Sequence, residues 1–140
     1  MNAQQFKDTL IQALTPGTPV NVPHRTGGLN TDNRGYAIQL WMARETACYI
    51  RSRAGAMRVM PAVRDVRSVG AGLGSRTEVQ LSFTCPGISE RLTVIYSQRG
   101  AEMVLIIERD TPIGPEPVWR AHGRESRQNG GWTIRTLETA

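Results

Sequence analysis

Long apolar runs are absent from this chain, and so are the features that direct a protein into or across a membrane. The longest stretch of large apolar residues is the five-residue run 103–107, whereas a membrane-spanning helix needs about 20. The first residues also lack the basic start and apolar block of a secretory signal peptide. We therefore expect a cytoplasmic protein with no segment inserted in a membrane.

Residues that bind metals or act as nucleophiles are scarce and scattered. The two cysteines, Cys48 and Cys85, do not form a C-x-x-C pair, and the two histidines, His24 and His122, lie on separate segments. A metal site or a catalytic centre requires several such groups at defined spacings. The sequence therefore predicts no metal and no cofactor, and it favours a binding role over an enzymatic one.

Lysine is nearly missing, and arginine carries almost all of the positive charge. Sixteen of the 17 basic residues are arginines and the other is Lys7; with 12 acidic residues, the net charge is +5. A GC-rich genome is one sufficient reason for such a ratio. The chemical alternative is that the planar guanidinium fork suits phosphate and carboxylate partners better than an ammonium group does. A basic net charge favours anionic partners, although it says nothing about the fold.

Apolar spacing predicts two helices in the N-terminal half. In residues 3–14 apolar side chains recur at helical intervals, namely at Phe6, Leu10, Ala13 and Leu14. In residues 35–53 the intervals alternate between four and three residues, giving a stripe of Tyr36, Leu40, Ala43, Ala47 and Ile50. The start of this segment also alternates as a strand would. The helical interpretation therefore depends on its content of Ala, Arg, Gln, Met and Glu.

The rest of the chain has the character of strands. The run 103–109 suits a central strand with both faces covered, and residues 79–83 and 92–96 alternate between apolar and polar side chains. Pro61 lies within residues 57–69 and predicts an irregular edge strand there. Residues 112–117 contain three prolines and suggest a rigid connector.

A final hairpin is expected from Val118–Arg127 and Trp132–Glu138, around a turn at Asn129-Gly130-Gly131. Helices thus come first in the chain and strands follow them. This order is typical of the α+β class. We predict a single α+β domain over residues 1–140, in which an antiparallel β-meander of about five to six strands carries the two N-terminal helices on one face.

The hairpin holds the most suggestive group of charged residues. On a strand, Arg120, His122 and Arg124 would share one face, opposite to Trp119. Arg135 joins them if the register across the hairpin permits. Such a ribbon is able to clamp a phosphate backbone or a nucleotide, with His122 as a contact whose charge changes near neutral pH. The alternative is a solvated edge hairpin whose charges block aggregation between strands.

A second basic cluster follows the second helix. It contains Arg51, Arg53 and Arg58, continues to Arg64 and Arg67, and is opposed only by one aspartate. Arg51 and Arg53 also have a structural reason to lie near the end of a helix, because a cation there complements the helix dipole. We expect the two clusters to form one continuous positive surface.

These features favour a small non-enzymatic module that binds nucleic acid or a phosphorylated nucleotide through its arginines. Two other functions remain open. The first is a protein-interaction or assembly module, such as a virion component, a secretion chaperone or an inhibitor, that uses helix 35–53 and the three tryptophans Trp41, Trp119 and Trp132. The second is an enzyme that acts on a phosphate ester through His24 or His122. A homodimer is the expected assembly.

Overall fold

The computed structural model describes residues 2–15, 34–55, 59–69, 76–128 and 131–137. Helices α1 (Ala3–Leu14) and α2 (Arg34–Ala54) precede six strands, which are β1 (Ala62–Val69), β2 (Arg76–Cys85), β3 (Ile88–Arg99), β4 (Glu102–Thr111), β5 (Gly114–Gln128) and β6 (Gly131–Leu137). Each strand pairs antiparallel with the next, in the order β1-β2-β3-β4-β5-β6. The predicted α+β class, the meander and the position of the helices in the N-terminal half are confirmed.

Helix α1 has the predicted bounds, and its cap explains where it begins. The Asn2 Oδ1 atom accepts hydrogen bonds from the backbone N–H groups of Gln4 at 2.8 Å and Gln5 at 3.3 Å. These are two of the donors that the first turn of a helix leaves without a partner. The predicted apolar stripe is buried, as Phe6, Leu10, Ala13 and Leu14.

Helix α2 confirms the helical interpretation of residues 35–53 over the alternation of a strand. It is buried around most of its circumference because it contacts α1, β3 and β6. Gly55 ends it with a φ of 61°, and the Gly55 N–H donates to the Arg51 carbonyl at 3.0 Å. A glycine adopts this left-handed conformation without the steric cost that other residues carry.

One face of the sheet, here called the inner face, packs against the helices. Most of its buried side chains come from alternate positions of β2, β3 and β4, namely Val79, Leu81, Phe83, Leu92, Val94, Tyr96, Met103, Leu105 and Ile107. The opposite, outer face is not covered by any described helix. The expectation that both faces of strand β4 are covered is therefore wrong. Val104 and Ile106 are only half-buried, and Ile106 gains shelter from its cross-strand partner Ile95.

Of two predictions based on proline, one is confirmed and one is corrected. Strand β1 is the predicted irregular edge strand, with a bulge between Arg64 and Arg67, although Pro61 precedes it and does not lie within it. Residues 114–117, expected to be a connector, form the start of β5 and pair with the end of β4. Because β6 pairs with β5 only from His122 onward, this part of β5 lies at an edge, where a missing N–H breaks no ladder bond.

Neither described helix has the apolar character that crossing a bilayer requires.

Candidate functional site

The outer face of the sheet carries half of the arginines. Strand register places eight exposed arginines there, from β1, β2, β3, β5 and β6: Arg64, Arg67, Arg76, Arg91, Arg99, Arg120, Arg124 and Arg135. Four carboxylates share the face by register, Glu78, Glu102, Glu108 and Asp110, and Asp65 lies at the β1 bulge beside them. Charges of both signs are therefore present, but they are not evenly distributed.

Positive charge is concentrated at the corner where β3 ends and β5 pairs with β6. We name this group the terminal cluster; it consists of Arg99, Arg120, His122, Arg124 and Arg135. Along β5, the members at 120, 122 and 124 alternate onto the outer face as predicted, opposite Ile106, Val104 and Glu102 of β4. On β6, Arg135 pairs directly with Arg124, so the register expected across the hairpin is confirmed.

Arg99 belongs to the cluster but was not among the predicted site residues. It pairs with Glu102, on the other side of which lies Arg124. The alternation that buries Leu92, Val94 and Tyr96 carries odd-numbered residues of β3 to the outer face. Extending this alternation to residue 99 would have identified it.

Among the described residues, Glu108 borders the terminal cluster, two positions along β4 from the partner of Arg120, and one carboxylate lies between its members, that of Glu102. Its Oε1 atom accepts from the Arg124 Nη2 atom at 3.1 Å, and the two side chains are 67% and 55% exposed. An ion pair this open to water contributes little to stability and exchanges readily. The other three arginines of the cluster make no ion pair with another described residue. His122 is half-buried, between Val104 and Leu137.

The structure divides the second predicted cluster: Arg64 and Arg67 lie on the outer face, on the edge strand opposite to β6, whereas Arg51 and Arg53 do not. Arg51 donates from Nη2 to the Ala13 carbonyl at 2.7 Å, and Arg53 donates from Nε to Glu90 Oε2 at 2.6 Å. Both contacts are on the helix side of the sheet, so the structure does not bring Arg51 and Arg53 together with the terminal cluster. The sheet separates the two groups, and the expected continuous surface is not formed between them. Arg58 and His24 lie outside the described residues.

The tryptophans also belong to the helix side. Trp41 is fully buried and donates from Nε1 to Thr136 Oγ1 at 3.0 Å. Trp119 and Trp132 are half-buried and pack against the core. The guanidinium groups of Arg34 and Arg127 lie 5.8 Å and 5.4 Å from the ring centroid of Trp132. These rings stabilise the attachment of α2 to the sheet.

A buried polar network that sequence analysis missed joins α2 to β3 and β4. The Glu90 carboxylate, 7% exposed, accepts hydrogen bonds from the Tyr49 hydroxyl and Arg53 Nε, each at 2.6 Å, and the Arg109 guanidinium lies 3.7 Å away. Burial, and then the hydrogen bond to Glu90, raise the pKa of Tyr49 well above its usual range. The network is satisfied within itself and connects helix to sheet, which is a structural role.

The outer face also contains a groove of about 670 Å³ near the β1 bulge. Its polar lining comes from Asp65, Arg67, Gln80, Arg91, Thr93 and Asp110. Two guanidinium groups here face two carboxylates, so the charges offset each other, and Arg67 already donates to the Gln80 amide oxygen at 2.8 Å. The groove is thus less suited to an anion than the terminal cluster.

Among the described residues, no three metal-ligating side chains converge. We find no protein-family model that matches the chain, no similar curated protein and no similar solved structure. The function is therefore inferred from the residues themselves.

Proposed function

We propose that the terminal cluster binds a polyanionic partner, either nucleic acid or a phosphorylated nucleotide, without catalysing a reaction. The supporting observation is the local imbalance of charge. Four exposed arginines and His122 share a corner of the sheet that no described helix covers, and the described carboxylates there are Glu102 within the corner and Glu108 at its border. Charge of one sign gathered on one surface attracts partners of the opposite sign.

The spacing of the arginines suits several phosphates at once. Outer-facing residues on one strand are about 6.8 Å apart, and neighbouring strands are about 4.8 Å apart. Each guanidinium group is able to donate two parallel hydrogen bonds to one phosphate. Arg120, Arg124 and Arg135 would therefore bind separate phosphate groups of one polyanion, and the affinity would fall as salt is added.

A binding role is favoured over catalysis by the surroundings of His122. Its cross-strand neighbours are Val104 and Leu137, and the next outward residues on its own strand are Arg120 and Arg124. General acid–base catalysis requires a second group that orients or relays the proton. These four neighbours do not accept a proton, and the carboxylate of the diagonal neighbour Glu102 binds Arg124 at 3.1 Å.

Removal of two cluster arginines tests this proposal. We expect the variant Arg120→Ala/Arg124→Ala to elute from a heparin column at lower salt than the natural protein. On a DNA probe, the slope of log affinity against log salt should fall by about two, because each lost phosphate contact removes about 0.9 from it. Anisotropy measurements at several salt concentrations give this slope.

The control for that variant is Arg127→Ala. Arg127 lies on the same strand but on the helix side, against the Trp132 ring, so the variant removes the same kind of charge from the other face. We expect Arg127→Ala to keep the salt slope of the natural protein, apart from the small change that the loss of one net positive charge produces. Equal loss per charge removed in the two variants would show that only net charge matters, and unchanged retention of the double variant would exclude the terminal cluster.

Glu102 should act as a built-in competitor of the partner. It lies between Arg99 and Arg124 by register and already binds Arg124. Replacing it with glutamine frees that guanidinium, so we expect affinity for a polyanion to rise about three- to fivefold at low salt. The matched control is Glu116→Gln, which removes a carboxylate of similar exposure that binds Arg109 instead. A similar gain in both variants would contradict a local effect.

Self-association remains a prediction. Strand β6 has β5 as its only partner among the described strands, and an open edge of this kind is able to pair with a second copy. Light scattering coupled to size-exclusion chromatography measures the mass directly.

A further inference from the structure

No aromatic side chain lies beside the terminal cluster, and this narrows the class of partner. We infer that it binds the sugar-phosphate backbone of a nucleic-acid duplex, and not unpaired bases. This inference rests on the proposed function and adds to it the form of the nucleic acid.

The aromatic side chains all lie away from the outer face of the sheet. All eight aromatic side chains of the chain are in the described ranges, and none lies on the outer face. Four are on the helices, Phe6, Tyr36, Trp41 and Tyr49, and four are on the helix side of the sheet, Phe83, Tyr96, Trp119 and Trp132. Proteins that bind single strands generally stack bases on aromatic side chains, at about 1–3 kcal/mol per base. The outer face offers no such platform.

Three residues beside the terminal cluster on β3 and β4 are aliphatic. Val104, Ile106 and Ile95 occupy the adjacent outer positions of β4 and β3. Aliphatic side chains neither donate nor accept hydrogen bonds, so they add no hydrogen-bonded reading of base edges to what the arginines could make. Phosphate contacts need only the arginines, and we place the contacts there.

The distance between two arginines of the terminal cluster is close to the width of a duplex groove. Arg120 and Arg124 are four residues apart on one strand, which corresponds to about 13 Å. A duplex presents two fixed phosphate ridges across its major groove, which is about 12 Å wide. The two arginines are therefore spaced to reach both ridges. A flexible single strand offers no second ridge at a fixed distance, and it carries about half the charge per unit length.

Direct comparison of probes tests the inference. Fluorescence anisotropy would be measured with a duplex DNA of about 20 base pairs and with an oligothymidine of the same length, which forms no duplex, at matched phosphate concentration. We expect the duplex to bind at least about tenfold tighter and with the steeper salt slope. A second duplex of unrelated sequence should bind within about threefold of the first, because backbone contacts carry no sequence information.

The outcomes separate the inference from the proposed function. Equal or tighter binding of the oligothymidine would overturn the duplex preference while leaving polyanion binding intact. Strong discrimination between the two duplex sequences would overturn backbone recognition. Failure of both DNA probes and of heparin to bind would remove the proposed function itself. To confirm that duplex binding uses the terminal cluster, Arg120→Ala/Arg124→Ala should lose most of the duplex preference, and Arg127→Ala should retain it.

Discussion

Replacement of Glu90 by alanine is expected to lower the free energy of unfolding by about 2–3 kcal/mol. The substitution removes the acceptor of the Tyr49 hydroxyl and the partner of Arg53, and a buried ion pair that loses one member typically costs about 3–5 kcal/mol. We place the effect at or below the low end of this range because the Arg53 and Arg109 side chains are 40% and 31% exposed. Water can therefore solvate their charges. Urea unfolding followed by circular dichroism measures the change.

The chain supplies a matched control for this prediction. Glu116 binds the same Arg109 at 2.7 Å but is 53% exposed. Glu116→Ala should therefore change stability by less than about 0.5 kcal/mol, as is usual for surface ion pairs. If the two variants were equally stable, the network around Glu90 would not be what attaches α2 to β3 and β4.

Alanine at Gly123 is expected to cost about 2–3 kcal/mol through a steric clash. A Cβ atom there would lie 2.8 Å from Cζ2 and 3.1 Å from Cε2 of Trp41. The indole is fully buried and its Nε1 is fixed by Thr136, so it has little freedom to move, and an overpacked core loses about 1–3 kcal/mol. The large effect would appear although Gly123 has no side chain to remove.

A double-mutant cycle shows whether the indole is the cause. Phenylalanine at position 41 has a single, shorter ring and places no atom where the indole has Cζ2, the atom that the added Cβ would meet at 2.8 Å. We expect Trp41→Phe to be destabilising by itself, through the lost hydrogen bond and a cavity. Gly123→Ala should then cost little in that background. If its cost were the same in both backgrounds, the contact between Gly123 and Trp41 would not be the source.

Local patterns in the sequence were sufficient to predict which side chains share a face of one helix or one strand. The stripe from Phe6 to Leu14 predicted α1 to the residue, and the alternation at Arg120, His122 and Arg124 predicted a shared face that the register confirms. Each of these depends only on the period of one helix or strand.

The periodicity of the sequence does not predict contacts between helices and strands that are far apart along the chain. Glu90 is surrounded by groups from α2 and β4, 37 to 41 residues away in the case of Arg53 and Tyr49, so no short motif marks it. The same limitation explains why Arg53 was assigned to a surface for binding anions, when its nearest partner is a buried carboxylate. The proline segment at 114–117 became a strand because β4 extends alongside it, which the segment itself does not encode.

The position of the arginines relative to the sheet is therefore the central feature for the proposed function. Of the described arginines, eight lie on the outer face, and others bind carboxylates, carbonyls or aromatic rings on the helix side. Our proposal assigns the binding of a partner to the first group. The terminal cluster is its most positive part.

The most direct test is an NMR titration of the arginine Nε–H signals with duplex DNA. We predict that the signals of Arg99, Arg120, Arg124 and Arg135 shift together and saturate with binding, while those of Arg34 and Arg53, held by Glu125 and Glu90, stay in place. Binding that shifts Arg34 and Arg53 and leaves the terminal cluster unmoved would contradict this account of the protein.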